Sequence, residues 1–129
     1  MNLQNQEIKD IIIADHLIFL FKMYFDDKAN AVKSEDLINH YYQLFKQPLH
    51  SRDLRRVLGF IRNNDLVSPG FILSNVANGY WLSIDLEEQK AFVNQQLNRM
   101  ANQFDNIKSL HKRLKPTPQT NAQLHFNLI

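Results

Sequence analysis

Four arginines lie within residues 51–63, SRDLRRVLGFIRN, together with only one acidic residue, Asp53. A guanidinium group is planar, stays protonated and donates paired hydrogen bonds, so it suits phosphate oxygens and the major-groove edge of guanine. The preceding residues 1–50 have the opposite balance, with five Lys or Arg and seven Asp or Glu. The net charge of +2 is small, but the positive charge is local, as expected of a surface that contacts a polyanion.

The spacing of apolar residues in this segment predicts the helix that carries the arginines. They recur at i, i+3, i+4 and i+7, which indicates one buried stripe: Leu54, Val57, Leu58 and Ile61. At about 100° per residue, the opposite face carries Arg52, Arg56, Gly59 and Asn63, with Arg55 and Arg62 at its edges. Gly59 destabilises the helix by about 1 kcal/mol relative to alanine. A partner that comes close to the backbone would explain why glycine occupies this position.

Two further helices are predicted before this one. Residues 7–25 are apolar on most sides of a helix, so a single neighbouring layer cannot cover them. Ser34 is the expected N-cap of a helix over residues 35–45, which should end before Pro48. Ser51 is the expected N-cap of the arginine-bearing helix. Two capped helices joined by a tight turn predict a helix-turn-helix.

A short strand and a hairpin complete the predicted order. Val32 fits a strand of one or two residues. Residues 71–74 and 79–83 are the expected hairpin strands, joined by a loop over residues 75–78. The predicted fold class is therefore mainly α with a small β-hairpin.

The order helix, short strand, helix, helix, hairpin resembles the winged helix-turn-helix superfamily over residues 8–84. The run RDLRRVLGFIRNNDLV, followed by FILS and NGYWLS, is similar to small winged-helix proteins of phages and mobile elements. The resemblance implies that the helix at residues 52–63 reads the major groove of double-stranded DNA, with the hairpin, or wing, near the backbone or minor groove. One departure is that residues 66–84 contain no Lys or Arg.

The expected DNA contacts come from three places. Within the arginine-bearing helix, the groove-facing side chains are Arg52, Arg55, Arg56 and Asn63. Ser51, Lys33 and Ser34 should lie near phosphate, because the free N–H groups at a helix start favour anions. With no basic residue available, any wing contact should come from the polar side chains of Ser74, Asn75 and Asn78; the alternative is a wing with a purely structural role.

The last long segment, residues 86–114, has a heptad pattern. Apolar residues alternate at spacings of four and three, and this series predicts a dimerisation seam: Val93, Leu97, Met100, Phe104 and Ile107. Lys90 and His111 occupy the same series and should weaken it. A helix of 29 residues is about 43 Å long, longer than a compact core of this size. We therefore expect a homodimer, or else a helix that breaks near Asn102 and folds back.

The expected domain organisation has three parts: a winged-helix domain over residues 1–84, a dimerisation helix over residues 85–115 and a tail over residues 116–129. Pro116 and Pro118 should end the helix. Apolar residues alternate along the tail, which suggests that it docks on the body of the protein.

Composition and motifs argue against other classes. The chain has no cysteine, only three glycines, no phosphate-binding glycine loop and no nucleophile motif, and its histidines lack metal-ligand spacing. We expect no enzyme activity, no cofactor, no metal and no small-molecule substrate. Charged residues interrupt the apolar run at residues 7–25, and the first ten residues lack the basic start of a signal peptide. The expected location is the cytoplasm, with no membrane association.

Two functions fit these patterns. The preferred one is a sequence-specific double-stranded DNA-binding protein that regulates transcription or replication of a phage or mobile element. The alternative is a winged-helix protein-interaction module whose basic helix binds an acidic partner surface. The lack of basic residues in the wing and the large apolar first helix favour the alternative.

Overall fold

The structure, a computed structural model, describes residues 3–115 of the chain, so the expected docking of the tail lies outside the described residues. It is mainly helical with a small antiparallel hairpin, and this predicted fold class is confirmed. Its elements are α1 (Leu3–Tyr24), α2 (Ser34–Phe45), α3 (Ser51–Asn63), β1 (Phe71–Asn75), β2 (Gly79–Ser83) and α4 (Leu86–Leu114), with a 3₁₀ turn at Lys28–Asn30. Among the described residues, those up to Lys90 form one compact unit and those from Ala91 onward form a second.

The apolar stripe of α3 lies at the centre of the first unit. All four of its predicted members are buried, and they join one cluster with side chains of α1 and α2. The largest of these neighbours are Leu17, Leu20 and Phe21 from α1 and Leu37 and Tyr41 from α2. The predicted burial of α3 against both preceding helices is thus confirmed.

Helix α1 is only partly covered, as its all-round apolar pattern predicts. One side packs into the core, while the other leaves several large apolar side chains about half exposed: Ile8, Ile11, Ile12, Phe19, Met23 and Tyr24. Near its middle, the ring of His16 stacks on Phe45 of α2 with 3.9 Å between ring centroids. This contact adds an aromatic layer between the two helices.

Backbone hydrogen bonds join the hairpin to the segment between α1 and α2. Its strands pair from Phe71 opposite Ser83 to Asn75 opposite Gly79, which leaves a three-residue loop. Val32 and Tyr80 exchange backbone hydrogen bonds of 2.8 and 2.7 Å, so Val32 forms the predicted short strand as a single bridge. The amide of Leu82 also donates to the carbonyl of Phe25, just after α1.

Gly79 makes the bridge to Val32 possible. Its φ is +92°, a conformation that residues with a side chain rarely adopt. A Cβ at this position would also collide with the carbonyl group of Val32. The hairpin can therefore approach the start of α2 only because residue 79 is glycine.

The predicted N-caps of α2 and α3 are wrong by one residue. Lys33 and His50 are the cap residues, with extended backbones at ψ 155° and 150°, while Ser34 and Ser51 take the first helical positions. Within residues 3–115, neither cap residue makes a side-chain capping hydrogen bond. Both helices therefore begin without the serine cap that the sequence suggests.

The start of α4 is fixed within the first unit. The Asp85 carboxylate accepts from the amide of Glu87 at 2.9 Å, which caps the helix. The indole of Trp81 donates to Glu88 at 2.9 Å, and the Gln89 amide donates to the carbonyl of Ser83 at 2.9 Å. The first turn of α4 is thus bonded to the base of the hairpin.

We expect Leu58→Ala to lower the free energy of unfolding by about 2–5 kcal/mol, because it leaves a cavity between three helices. Urea denaturation measures this loss. Leu66→Ala is the matched control, since Leu66 is 42% exposed, and it should change stability by no more than about 0.5 kcal/mol. Equal losses in the two variants would contradict the central position of the stripe.

Candidate nucleic-acid interface

The outer face of α3 is open at four positions, which we call the open face: Arg52, Arg55, Gly59 and Asn63. The two arginines and Asn63 are exposed, and Gly59 is partly exposed. Within residues 3–115, no ion pair or hydrogen bond engages the side chains of Arg52 and Arg55. A Cβ placed on Gly59 would meet no atom within 4 Å. The open face therefore offers two available guanidinium groups in the first half of α3, followed by Gly59, where no side chain covers the backbone.

Arg56, expected to face the groove, points instead to α1. Its Nη2 and Nε lie 2.8 and 3.1 Å from the two carboxylate oxygens of Asp10, and its Nη1 lies 2.9 Å from Asp53. Hydrogen bonding from Arg56 lowers the pKa of Asp10, and hydrogen bonding to Asp10 raises the pKa of Arg56. The Arg56 side chain remains 39% exposed, so a stronger anionic partner can still reach it.

Arg62 fastens the hairpin to α3. Its Nε donates to the carbonyl of Ile72 at 2.8 Å, its Nη2 lies 3.4 Å from the hydroxyl of Ser74, and its guanidinium lies 5.9 Å from the ring centre of Phe71. Burial lowers the pKa of Arg62. One of the four arginines of this segment therefore has a structural role.

The residues expected near phosphate lie around the start of α2 and the hairpin loop, apart from Ser51 at the start of α3. The Nζ of Lys33 donates to the carbonyl of Val76 at 2.9 Å, so the loop and the start of α2 are in direct contact. The side chain of Asn75 accepts from the amide of Asn78 at 2.6 Å and thereby shapes the loop. Ser34 and Ser51 are exposed at the starts of their helices.

Beside this contact lies an open cleft of about 640 Å³. The polar side chains that line it are Lys28, Lys33, Asp36, Asn39, His40, Gln43 and Asn78. Two lysines and several amides give the cleft donors suited to a phosphate backbone, against the single carboxylate of Asp36. Lys28 and Asn39 were not among the residues expected from the sequence, because only the fold brings them to the loop.

The predicted seam of α4 is also open. Val93, Leu97, Met100, Phe104 and Ile107 are each between 52% and 63% exposed. Leu114 continues the same exposed series at the end of the helix, and Leu110 is exposed beside it. An exposed apolar row of this length is typical of a surface that another helix covers.

The described part of the chain holds neither a metal cluster nor a membrane-spanning helix. Within residues 3–115, no group of three or more His, Asp or Glu side chains could hold a metal ion. None of the helices there is long and apolar enough to cross a membrane. No protein family matches this chain, and no curated protein or solved structure matches it.

The ion pair between Asp10 and Arg56 should make stability depend on pH. Because folding lowers the pKa of Asp10 below its ordinary value of 3.8, the stabilisation is present above that value and is lost as the pH falls through the lower folded value. Because Arg56 is partly exposed, the ion pair contributes only about 0–1 kcal/mol to the free energy of unfolding. Asp10→Asn should thus be less stable than the wild type at pH 7, and the difference should vanish in acid.

Chemical denaturation across this pH range tests the expectation. Asp15→Asn, a change at an exposed carboxylate on the same helix, is the control and should track the wild type throughout. If the wild type remains more stable than Asp10→Asn by the same amount in acid, the pair does not stabilise the fold through the ionised carboxylate.

Proposed function

We propose that this protein is a winged-helix, sequence-specific binder of double-stranded DNA that acts as a homodimer and regulates transcription or replication of a phage or mobile element. The open face of α3 is the observation that carries the proposal. It combines two available arginines, a glycine and an exposed amide on a helix whose other side is buried in the core. In this assignment α2 and α3 are the helix-turn-helix and the hairpin is the wing.

The chemistry of the open face fits the major groove. The groove is about 12 Å wide and admits an α-helix. Arg52 and Arg55 can pair with guanine or phosphate, and Asn63 can pair with adenine through its amide. The glycine between them lowers the helix surface, so that the backbone of α3 can come close to the base edges.

Phosphate contacts supplement the open face. Lys33 and Lys28 line the cleft next to the hairpin loop, and the first-turn N–H groups of α2 add donors for an anion. Arg56 joins the interface only by leaving Asp10, an exchange that its exposure allows. Arg62 is assigned to the wing anchor and not to DNA, because it is bonded to the backbone of β1.

A protein-interaction module is the second candidate, and two observations favour it. Asp10 and Asp53 neutralise Arg56, while the wing carries no basic residue at all. Helix α1 exposes a row of large apolar side chains that a protein partner would cover. In this reading the open face binds an acidic protein surface. Salt-dependent binding to random DNA separates the two candidates, because a phosphate binder must lose affinity steeply as salt rises.

We expect replacement of Arg52 or Arg55 by alanine to weaken DNA binding. If the replaced arginine binds a base, the change should cost about 1–3 kcal/mol of binding free energy and relax specificity at one base pair. If it binds a phosphate, the change should weaken binding to all DNA sequences alike and reduce the slope of log affinity against log salt concentration by about 1. Fluorescence anisotropy with DNA flanking the gene, over a salt series, distinguishes the two results. Arg99→Ala, an exposed arginine of α4, is the matched control. A folded double variant with undiminished binding would refute the proposal.

We expect Gly59→Ala to change protein stability and DNA affinity in opposite directions. Gly59→Ala should raise the free energy of unfolding by up to about 1 kcal/mol, because alanine favours helix and the new methyl group meets no atom. DNA affinity should nevertheless fall, since the methyl group stands between the backbone and the DNA. Stability and affinity are measured on the same preparation, so the gain in stability shows that folding is intact. A variant that is more stable and binds equally well would show that no partner approaches here.

A further inference from the structure

The charges along α4 are distributed unevenly, and this bears on how a second copy would cover its seam. The first turn contains the acidic residues Glu87 and Glu88, and the last turn contains His111, Lys112 and Arg113. Lys108 and Lys115 extend the basic end. The apolar seam between these ends is exposed along its whole length.

We propose that the α4 helices of two copies pair antiparallel through this seam, an inference that rests on the homodimer of the proposed function. A second copy is the occupant because the seam repeats every seven residues for about four heptads, and a heptad row of this length matches another such row. The orientation follows from two features of the sequence of α4, one on the seam and one beside it.

The feature on the seam is Lys90. In a parallel, in-register pair each seam residue faces its own copy, so Lys90 meets Lys90 and His111 meets His111. Directly opposed ammonium groups repel each other. In an antiparallel pair each seam residue faces a different seam position of the other copy. Lys90 then faces Ile107 or Leu114, according to register. Its aliphatic stem can then lie along an apolar side chain while its charge reaches water.

The feature beside the seam is Glu87. It immediately follows the seam position Leu86, and the equivalent positions later in the helix are Lys108 and Lys115. Antiparallel helices bring these flanking positions of the two copies together on the same side of the seam. Among the registers that align the seam residues in layers, two overlap the helices most fully. In one, Glu87 lies beside Lys108 of the other copy, and in the other it lies beside Lys115. A parallel pair offers Glu87 neither partner and leaves it only the exposed contact of 3.5 Å with Lys90 of its own helix.

An antiparallel pair attaches the two copies of residues 1–90 at opposite ends of the paired helices. The two α4 starts are then about 38 or 48 Å apart along the axis, according to register, at 1.5 Å per residue. A parallel pair instead attaches both copies at the same end.

The absence of cysteine from the chain allows a disulfide test in the full-length protein. In an antiparallel pair, residue 93 faces residue 104 or residue 111 of the other copy, according to register. Val93→Cys alone should then give no disulfide-linked dimer on mild oxidation, because the two thiols are at least about 16 Å apart along the helix. A chain that carries both Val93→Cys and Phe104→Cys should form the linked dimer in one register. A chain that carries both Val93→Cys and His111→Cys should form it in the other. Within one helix these pairs are too far apart to bond.

The outcomes separate this inference from the proposed function. Sedimentation of the unmodified protein as a monomer of 15.2 kDa would overturn both the homodimer and the pairing. A dimer in which Val93→Cys links to itself would overturn the antiparallel orientation and leave the homodimer standing. A dimer linked as expected that does not bind DNA would overturn only the DNA-binding function.

Charge reversal provides an independent test of the orientation. Glu87→Lys should raise the dimer dissociation constant roughly threefold to tenfold, as two exposed attractions become repulsions. Adding Lys108→Glu and Lys115→Glu to the same chain should restore the dimer, because opposite charges then face each other again. A triple variant that dimerises no better than Glu87→Lys would overturn the pairing of these positions.

Discussion

Burial of the α3 stripe is the constraint on which the rest of the first unit depends. Leu54, Val57, Leu58 and Ile61 are each at most 1% exposed and share one cluster with both preceding helices. A helix held on two sides cannot rotate about its axis without exposing apolar surface, which is unfavourable. The backbone of the open face is consequently as fixed as the core. A binding surface built in this way loses little backbone entropy when a partner arrives, so the entropic cost is confined to ordering its side chains.

Because the stripe fixes the rotation of α3, each of its arginines has different neighbours and a different role. Their side chains are alike, but their angular positions give them different neighbours. Arg56 meets a carboxylate of α1 and Arg62 meets a backbone carbonyl of β1, while Arg52 and Arg55 are exposed to solvent. An arginine-rich segment is therefore an incomplete guide to a binding site, because two of its four charges are already engaged by the fold.

The sequence predicts the elements well and the long-range polar contacts poorly. The bounds of α4 follow from a heptad pattern closed by Pro116, and the buried stripe of α3 follows from local spacing. The bond between Asp10 and Arg56 joins residues 46 positions apart, and no local pattern encodes such a pairing. One signal was present: a carboxylate inside the apolar run of α1 needs a partner if it is to lie largely buried. The serine caps were misplaced because a cap depends on backbone angles that differ by a single residue.

The hairpin looks like a protrusion, yet its attachments make it part of the core. A two-stranded hairpin by itself is marginally stable in water. Here the amide of Tyr80 is bonded to Val32 and that of Leu82 to Phe25, residues that lead into α2 and out of α1. The strands cannot separate from the helices without releasing both connections. These amide protons should therefore exchange with solvent only when the helical body opens, so hairpin and helices belong to one cooperative folding unit.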